Sequence, residues 1–551
     1  MELPDQEKRN QDRIKQIESE IDSACLDNPL FDLSFEEAAW YLLAQLEDQL
    51  LISQLHNMPR QHCAAEADMF VCSLRYPFQW LNDRCEKGGS YNPEYSDQAY
   101  GNALDLLKEL RGYQQYTAIF PLYYRNKVSV VPITNNRRLE VIRDTNSDYR
   151  YEAYNRLFSF EYSQIPDVKF SQDLMKQVSE RVELHPRGFR IKWSHRILKK
   201  AMPTTDTIMR NAYTLDSTWS LSHFSFSEFR VVSTALRTIC YLWSFIRLRL
   251  VYEGMPGLGY TTSLVIAERQ RLIALINRAT KLRNKNTVAA IIDYMTFGKC
   301  GVRVLDPALQ PIIQVSKTHL AIAPQFYCSL SPERNLVVLA NQIPEDKKIY
   351  ASLTESKEVK MRNELSNSVA ANGWVEKTGT FKTSNRQKHQ LDWALIDHAT
   401  KTVLVTELKW FIEPAEVREL HEKNSELEKG VEQALLRAEC LRQDAKVQKW
   451  FGIDDNYQVF AAVISANSIG DWFVQHQNCP IIRQQHIQNR IATECSLIEI
   501  CRWLHERKYL PDEGLHYTVE PVPFSAGGWR SEWYGIKATD KPFQITFGNQ
   551  Q

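Results

Sequence analysis

Two apolar runs separated by Asp397-His398-Ala399-Thr400-Lys401-Thr402 constrain the fold of this chain more than any other feature. The alternation in Gln390-Leu-Asp-Trp-Ala-Leu-Ile396 and in Thr402-Val-Leu-Val-Thr-Glu-Leu-Lys-Trp410 predicts two antiparallel strands joined by a short loop. Pairing Asp397 with Thr402 across that loop sets Asp392 directly opposite Glu407, so the two carboxylates share a face. Alternation adds Lys409 to that face and turns Leu404, Thr406, Leu408 and Trp410 to the other. Like charges directly opposite each other destabilise a strand pair, so something cationic belongs between them.

The flanking sequence places this hairpin in a larger pattern. Thr354 to Ala371 predicts a helix closed by Asn372-Gly373, and Trp374 to Phe381 a further strand. After the hairpin comes a helical stretch from about Pro414 to Lys446, then an apolar strand, Val459 to Ser465. A coiled coil does not account for the long helix, because Gly430 interrupts it and no a/d heptad persists. The expected order is helix, three strands, helix, strand.

Two hard carboxylates suit Mg²⁺ or Mn²⁺, which keep several waters and take further ligands from substrate phosphates. A metal-bound water held by Lys409 would be placed to attack a phosphodiester. With these residues in view, residues 354–466 resemble the PD-(D/E)xK nuclease superfamily, whose core is αβββαβ. The resemblance makes Asp392 the motif aspartate and Glu407-Leu408-Lys409 the E-x-K. It also implies that Gln433 lies near the site and that Glu364, on the first helix, is an extra metal ligand, with Glu376 and Glu432 as nearby acidic substitutes. Leu391 stands where the superfamily's loosely kept proline would be. The expected cofactor is Mg²⁺ or Mn²⁺, and the expected substrate is DNA rather than RNA.

The chain has 551 residues, well beyond the size at which single cores stop growing, so several domains are expected. The divisions read from pattern are 1–149, helical with a short β hairpin; 150–305, mostly helical and basic; and 306–551, the nuclease-like part. In the first, helical runs cover Ser34 to Leu55 and Ser96 to Leu110, and extended runs at Val128 to Ile133 and Leu139 to Ile142 flank Asn135-Asn136. The fold class expected is therefore α plus α/β, a large helical N-terminal region preceding a mixed-sheet, restriction-endonuclease-like core.

Lys plus Arg and Asp plus Glu each number 67, so the formal charge is zero and a polyanion must be met locally. The stretch His185 to Lys200 carries six Lys or Arg and no Asp or Glu, with Phe189 and Trp193 interleaved. Arg187, Arg190, Lys192, Trp193, Arg196, Lys199 and Lys200 would meet phosphates and stack on bases. The same stretch also reads as a basic surface segment anchored by its aromatics. A second basic region, Arg269 to Arg303, holds eight Lys or Arg and reads either as a DNA-facing wall or as a solvated helix and loop.

Gly254-Met-Pro-Gly-Leu-Gly259 lacks the Gly-Lys-Ser/Thr of a phosphate loop, which argues against nucleotide hydrolysis. The 11 Cys are scattered, with no C-x-x-C pair, as expected of a reduced, cytoplasmic setting. Neither a signal peptide nor a membrane span is expected, since Arg237, Arg247 and Arg249 interrupt the most apolar long stretch. Antiphage defence or restriction, with protein partners from the same system, is the expected setting. A non-catalytic nucleic-acid-binding or assembly subunit, and a transposase-like end-cutting subunit, are the other classes compatible with these residues.

Overall fold

The computed structural model describes residues 5–543 apart from 57, 59, 92–95, 144–146, 163–167, 186–187, 211–212, 214, 255–259, 283, 413–416, 495, 540 and 542. The protein is mixed α/β and divides into two compact units. The first comprises residues 1–142, 165–351 and 523–532, and the second residues 143–164, 352–522 and 533–551. This division differs from the one read along the sequence. Residues 306–351 belong to the first unit because His319–Ile322 pairs with Ile312–Gln314 and also with the much earlier Val265–Glu268. Periodicity reads a chain locally and carries no signal for such long-range pairing.

The first unit is largely helical. Ser34 accepts from the Glu37 N–H to start Phe35–Leu55, and Ser96 accepts from the Ala99 N–H to start Asp97–Tyr124. The two expected extended runs are the strands Val128–Ile133 and Arg138–Arg143. A Ser225–Glu228 capping box opens Phe226–Tyr252. By length and composition this last helix passes for a membrane span, but 72% of its apolar window is buried inside the protein. Its buried arginines explain how a core accommodates it: Arg237 donates to the carbonyls of Cys328 and Leu330, and Arg247 pairs with Asp48.

The second unit is built on a five-stranded sheet. Helix α1 (Pro344–Val369) leads into β1 (Val375–Lys382), β2 (Lys388–Asp397) and β3 (Thr402–Lys409). Then come α2 (Val417–Gln443), α3 (Ala445–Phe451), β4 (Gln458–Ser465) and β5 (Ile481–Arg483). The sheet order is β5-β4-β3-β2-β1, antiparallel among β1, β2 and β3 and parallel from β3 through β5. Helix α1 begins ten residues before the expected Thr354, because Pro344 is tolerated in a first turn and Glu345 and Asp346 follow where the helix dipole favours acids. The single helix expected up to Lys446 is two. Asp444 ends the first and caps the second, accepting from the N–H groups of Lys446 and Val447.

Both faces of β3 are buried from Thr402 to Leu408, since α2 and the helix Leu497–His505 pack against it. Thr406, on the face with Leu404 and Leu408, shows how a polar residue is buried there: its hydroxyl donates to the Trp393 carbonyl at 2.8 Å.

Candidate active site

The loop that closes the hairpin is organised by Asp397. Its carboxylate accepts from the Ala399 N–H at 3.0 Å and from the Thr400 hydroxyl at 2.6 Å. Lys401 completes the turn in the left-handed region, at φ 49°. His398, in that loop, shares a 2.6 Å hydrogen bond with the Tyr457 hydroxyl. The ladder then runs in the expected register, from Asp397 opposite Thr402 to Trp393 opposite Thr406.

It stops one pair short of Asp392 and Glu407. On the other side of β2, the register with β1 shifts between Lys377 and Gly379, where Gly379 adopts φ 109° opposite Leu391. Such a bulge locally frees a strand from its partner and re-aims side chains. Asp392 therefore sits where both ladders of β2 are interrupted. Its Oδ2 reaches β3 and accepts from the Leu408 backbone N–H at 3.1 Å. Oδ1 takes no hydrogen bond among the described residues.

Glu407 is buried, and both its oxygens are occupied by cations. The Lys409 Nζ donates to Oε1 at 2.8 Å, and Arg437 Nη1 donates to Oε2. These are the cationic partners that the facing carboxylates demanded, one from β3 itself and one from α2. Lys409 also donates to Gln433 Oε1 at 3.1 Å, so α2 gives the ammonium a second acceptor besides Glu407. Burial pulls the Lys409 pKa below the ordinary lysine value, against the opposing charges of Asp392, Glu358 and Glu426. Burial likewise lowers that of Arg437, against the pull of Asp392.

Gly430 lets α2 come this close. A Cβ there would lie 2.9 Å from Lys409 Cε and 3.4 Å from Cγ. The glycine that interrupts the helical pattern is thus the point where the helix backbone lies on the lysine stem.

Asp392, Glu407, Lys409 and Gln433 are therefore brought together, and Glu364 is not. That carboxylate is exposed and engages Gln484 Nε2 at 2.8 Å and Lys360 at 3.8 Å. The α1 residue that acts on the site is Glu358, whose own pKa is raised from its ordinary value by desolvation and then by the Asp392 charge. Six residues separate it from Glu364, which places the two on different faces of the helix. Glu376 is engaged elsewhere, accepting from the Ser366 hydroxyl and from the Trp393 indole N–H. Glu432 is exposed. Sequence reasoning missed Arg437 as well, although its spacing from Gln433 puts both on one helix face.

Among the described residues, no group of three or more His, Cys, Asp or Glu is arranged to hold a metal ion. The donor chemistry still suits a small hard dication: two carboxylates lie in the site, and Asp392 Oδ1 is open.

The basic stretch of the first unit forms a short hairpin, Val182–His185 with Gly188–Ile191, followed by the helix His195–Met209. Arg187 lies outside the described residues. Arg190, Lys192, Arg196, Lys199 and Lys200 are exposed, and Trp193 is half-buried. Lys192 pairs with Glu183 and Lys200 with Asp173, while Phe189 is buried against Trp243 with ring centroids 4.6 Å apart. The anchoring role of Phe189 and the exposed charge of the segment therefore coexist. In the second basic region, Arg269 and Lys299 both pair with Asp293, and Arg271 pairs with Glu268, which leaves less free positive charge than the sequence suggests.

No family model, curated protein or solved structure matches this chain.

Proposed function

We propose that the chain is a Mg²⁺- or Mn²⁺-dependent nuclease of the PD-(D/E)xK type that hydrolyses DNA phosphodiester bonds. The observation that carries this reading is the Lys409 ammonium held between Glu407 and Gln433, beside an Asp392 with one open carboxylate oxygen. Asp392 and Glu407 would hold the cation, with Glu358 rather than Glu364 as the acidic contribution of α1. A bound dication would supply charge neutralisation at the phosphate and acidify a water.

The chain's own residues do the rest. Two of the three ammonium N–H groups of Lys409 are committed, which leaves the third to hold the attacking water or a phosphate oxygen. Its lowered pKa makes it a readier proton carrier than a solvated lysine. Gln433 fixes the ammonium and so the line of attack. The first unit selects substrate or docks a protein partner, with the exposed Arg190, Arg196 and Lys199 available to phosphates. Cytoplasmic restriction or antiphage defence is the setting this reading suggests.

The test is cleavage of supercoiled, linear and single-stranded DNA, and of RNA, in Mg²⁺, Mn²⁺ or EDTA. DNA cut in either metal but not in EDTA, and not by Lys409→Ala or Glu407→Gln, is the expected result. Cutting that persists in EDTA or in Lys409→Ala overturns the assignment. Intact substrate in every condition would favour a binding or partner-dependent subunit.

A further inference from the structure

A dication bound by Asp392 and Glu407 must share Glu407 with an arginine already there. Arg437 is buried on α2, its Nη1 engages Glu407 Oε2, and Asp392 also acts on it. Lys409 takes the other Glu407 oxygen. The two cations thus offset the charges of Asp392 and Glu407 before any metal arrives, and a dication gains little by entering alone. A nucleic-acid phosphate changes that balance, since it brings negative charge and an acceptor for a guanidinium fork. Only one Arg437 donor has a partner among the described residues, so the fork can accept a phosphate.

We propose that Arg437 is the resident counter-ion of Glu407 and gives way to a divalent cation only as a nucleic-acid phosphate enters, so that metal loading and substrate binding are coupled. This rests on the nuclease reading and adds to it a reason why the metal-loaded site forms on substrate. Coupling of this kind is reciprocal: the factor by which DNA tightens the metal is the factor by which the metal tightens DNA. Arg437 is a positioning residue here, and its effect is read in metal binding rather than in turnover.

The experiment measures Mn²⁺ bound by the 551-residue chain, from the loss of the free-ion paramagnetic resonance signal. It is run with and without a phosphorothioate DNA duplex that resists cleavage, and the Asp392→Asn protein serves as the blank for Mn²⁺ held by DNA itself. Wild type without DNA should bind weakly. Arg437→Gln without DNA, and wild type with DNA, should each bind about tenfold or more tightly, because in each a competing positive charge has left Glu407. Should Arg437→Gln fail to fold, Arg437→Met, which keeps the apolar stem and removes the charge, takes its place, and a folded variant that binds Mn²⁺ no more tightly than wild type without DNA overturns the counter-ion role.

If wild type without DNA binds Mn²⁺ as tightly as with it, while Asp392→Asn binds none, the coupling is wrong and the metal site stands. If no protein binds more Mn²⁺ than the Asp392→Asn blank in any condition, the metal-dependent reading falls, and the proposal with it.

Discussion

At the scale of the residue, the site depends on how closely Lys409 is held. Gly430→Ala tests this without touching a polar group. Alanine is the better helix former by about 1 kcal/mol, so thermal unfolding should be unchanged or slightly raised. The added methyl needs the space of the lysine stem, 2.9 Å from Cε, and the stem must shift. Cleavage should fall by roughly 10- to 100-fold, the scale on which small misplacements of a reacting group are felt. A variant that cuts at the wild-type rate would show that the position of the stem does not matter. Glu407 makes the opposite kind of prediction. Its removal takes from Arg437 and Lys409 the buried carboxylate to which both donate, so Glu407→Ala should lose about 3 kcal/mol of stability in denaturant unfolding. Glu407→Gln keeps the side-chain shape and one acceptor oxygen, so one of the two donors stays partnered and less should be lost, which makes it the better variant for separating chemistry from folding.

At the scale of the element, the hairpin was the most legible part of the chain. A period of two on both sides of a loop with a capping aspartate fixes register, and register placed Asp392 near Glu407. Asp397→Ala should cost about 1–2 kcal/mol, because a carboxylate that organises the loop backbone and the Thr400 hydroxyl is lost. Unchanged unfolding would mean that strand pairing alone sets the turn. What the hairpin pattern could not show was the interruption at Asp392. Alternation carries no signal for the register shift, in which Asp392 and Trp393 of β2 stand against one residue of β1 beside the positive-φ Gly379. The helices were less legible still. Gln433 was found through a resemblance, while Arg437 and Glu358 were missed because a polar residue on a helix shows its partner only when the packing face is known. Glu364 lies on the expected helix but turns to Gln484 rather than to the site.

At the scale of the whole molecule, the mixed class and the helical character of the N-terminal region were legible in the sequence, but the division into units was not. Strands such as Val265–Glu268 find partners far along the chain, and the chain passes between the units more than once. Stability of the second unit should depend on acid through His486. Burial lowers its pKa from the ordinary 6.5 to about 4. His486 Nδ1 shares a 2.9 Å hydrogen bond with the buried Tyr154 hydroxyl. Above about pH 6.5 the ring is neutral in both folded and unfolded chains, and its full contribution is present. As pH falls from there through 4, the unfolded chain takes the proton first, and about 3 kcal/mol should be lost. Denaturant melts between pH 7 and 4 check this, with His486→Gln expected to flatten the slope. An equal slope in that variant would assign the acid sensitivity to other groups.

The bond from the Leu408 N–H to Asp392 Oδ2 also makes that one amide a listening post inside the site. Its proton resonance feels the charge of a single carboxylate. Any cation, proton or phosphate that draws on Asp392 will move the Leu408 signal before a bond in the substrate is broken, and an isotope-labelled leucine at this position would let occupancy be watched directly.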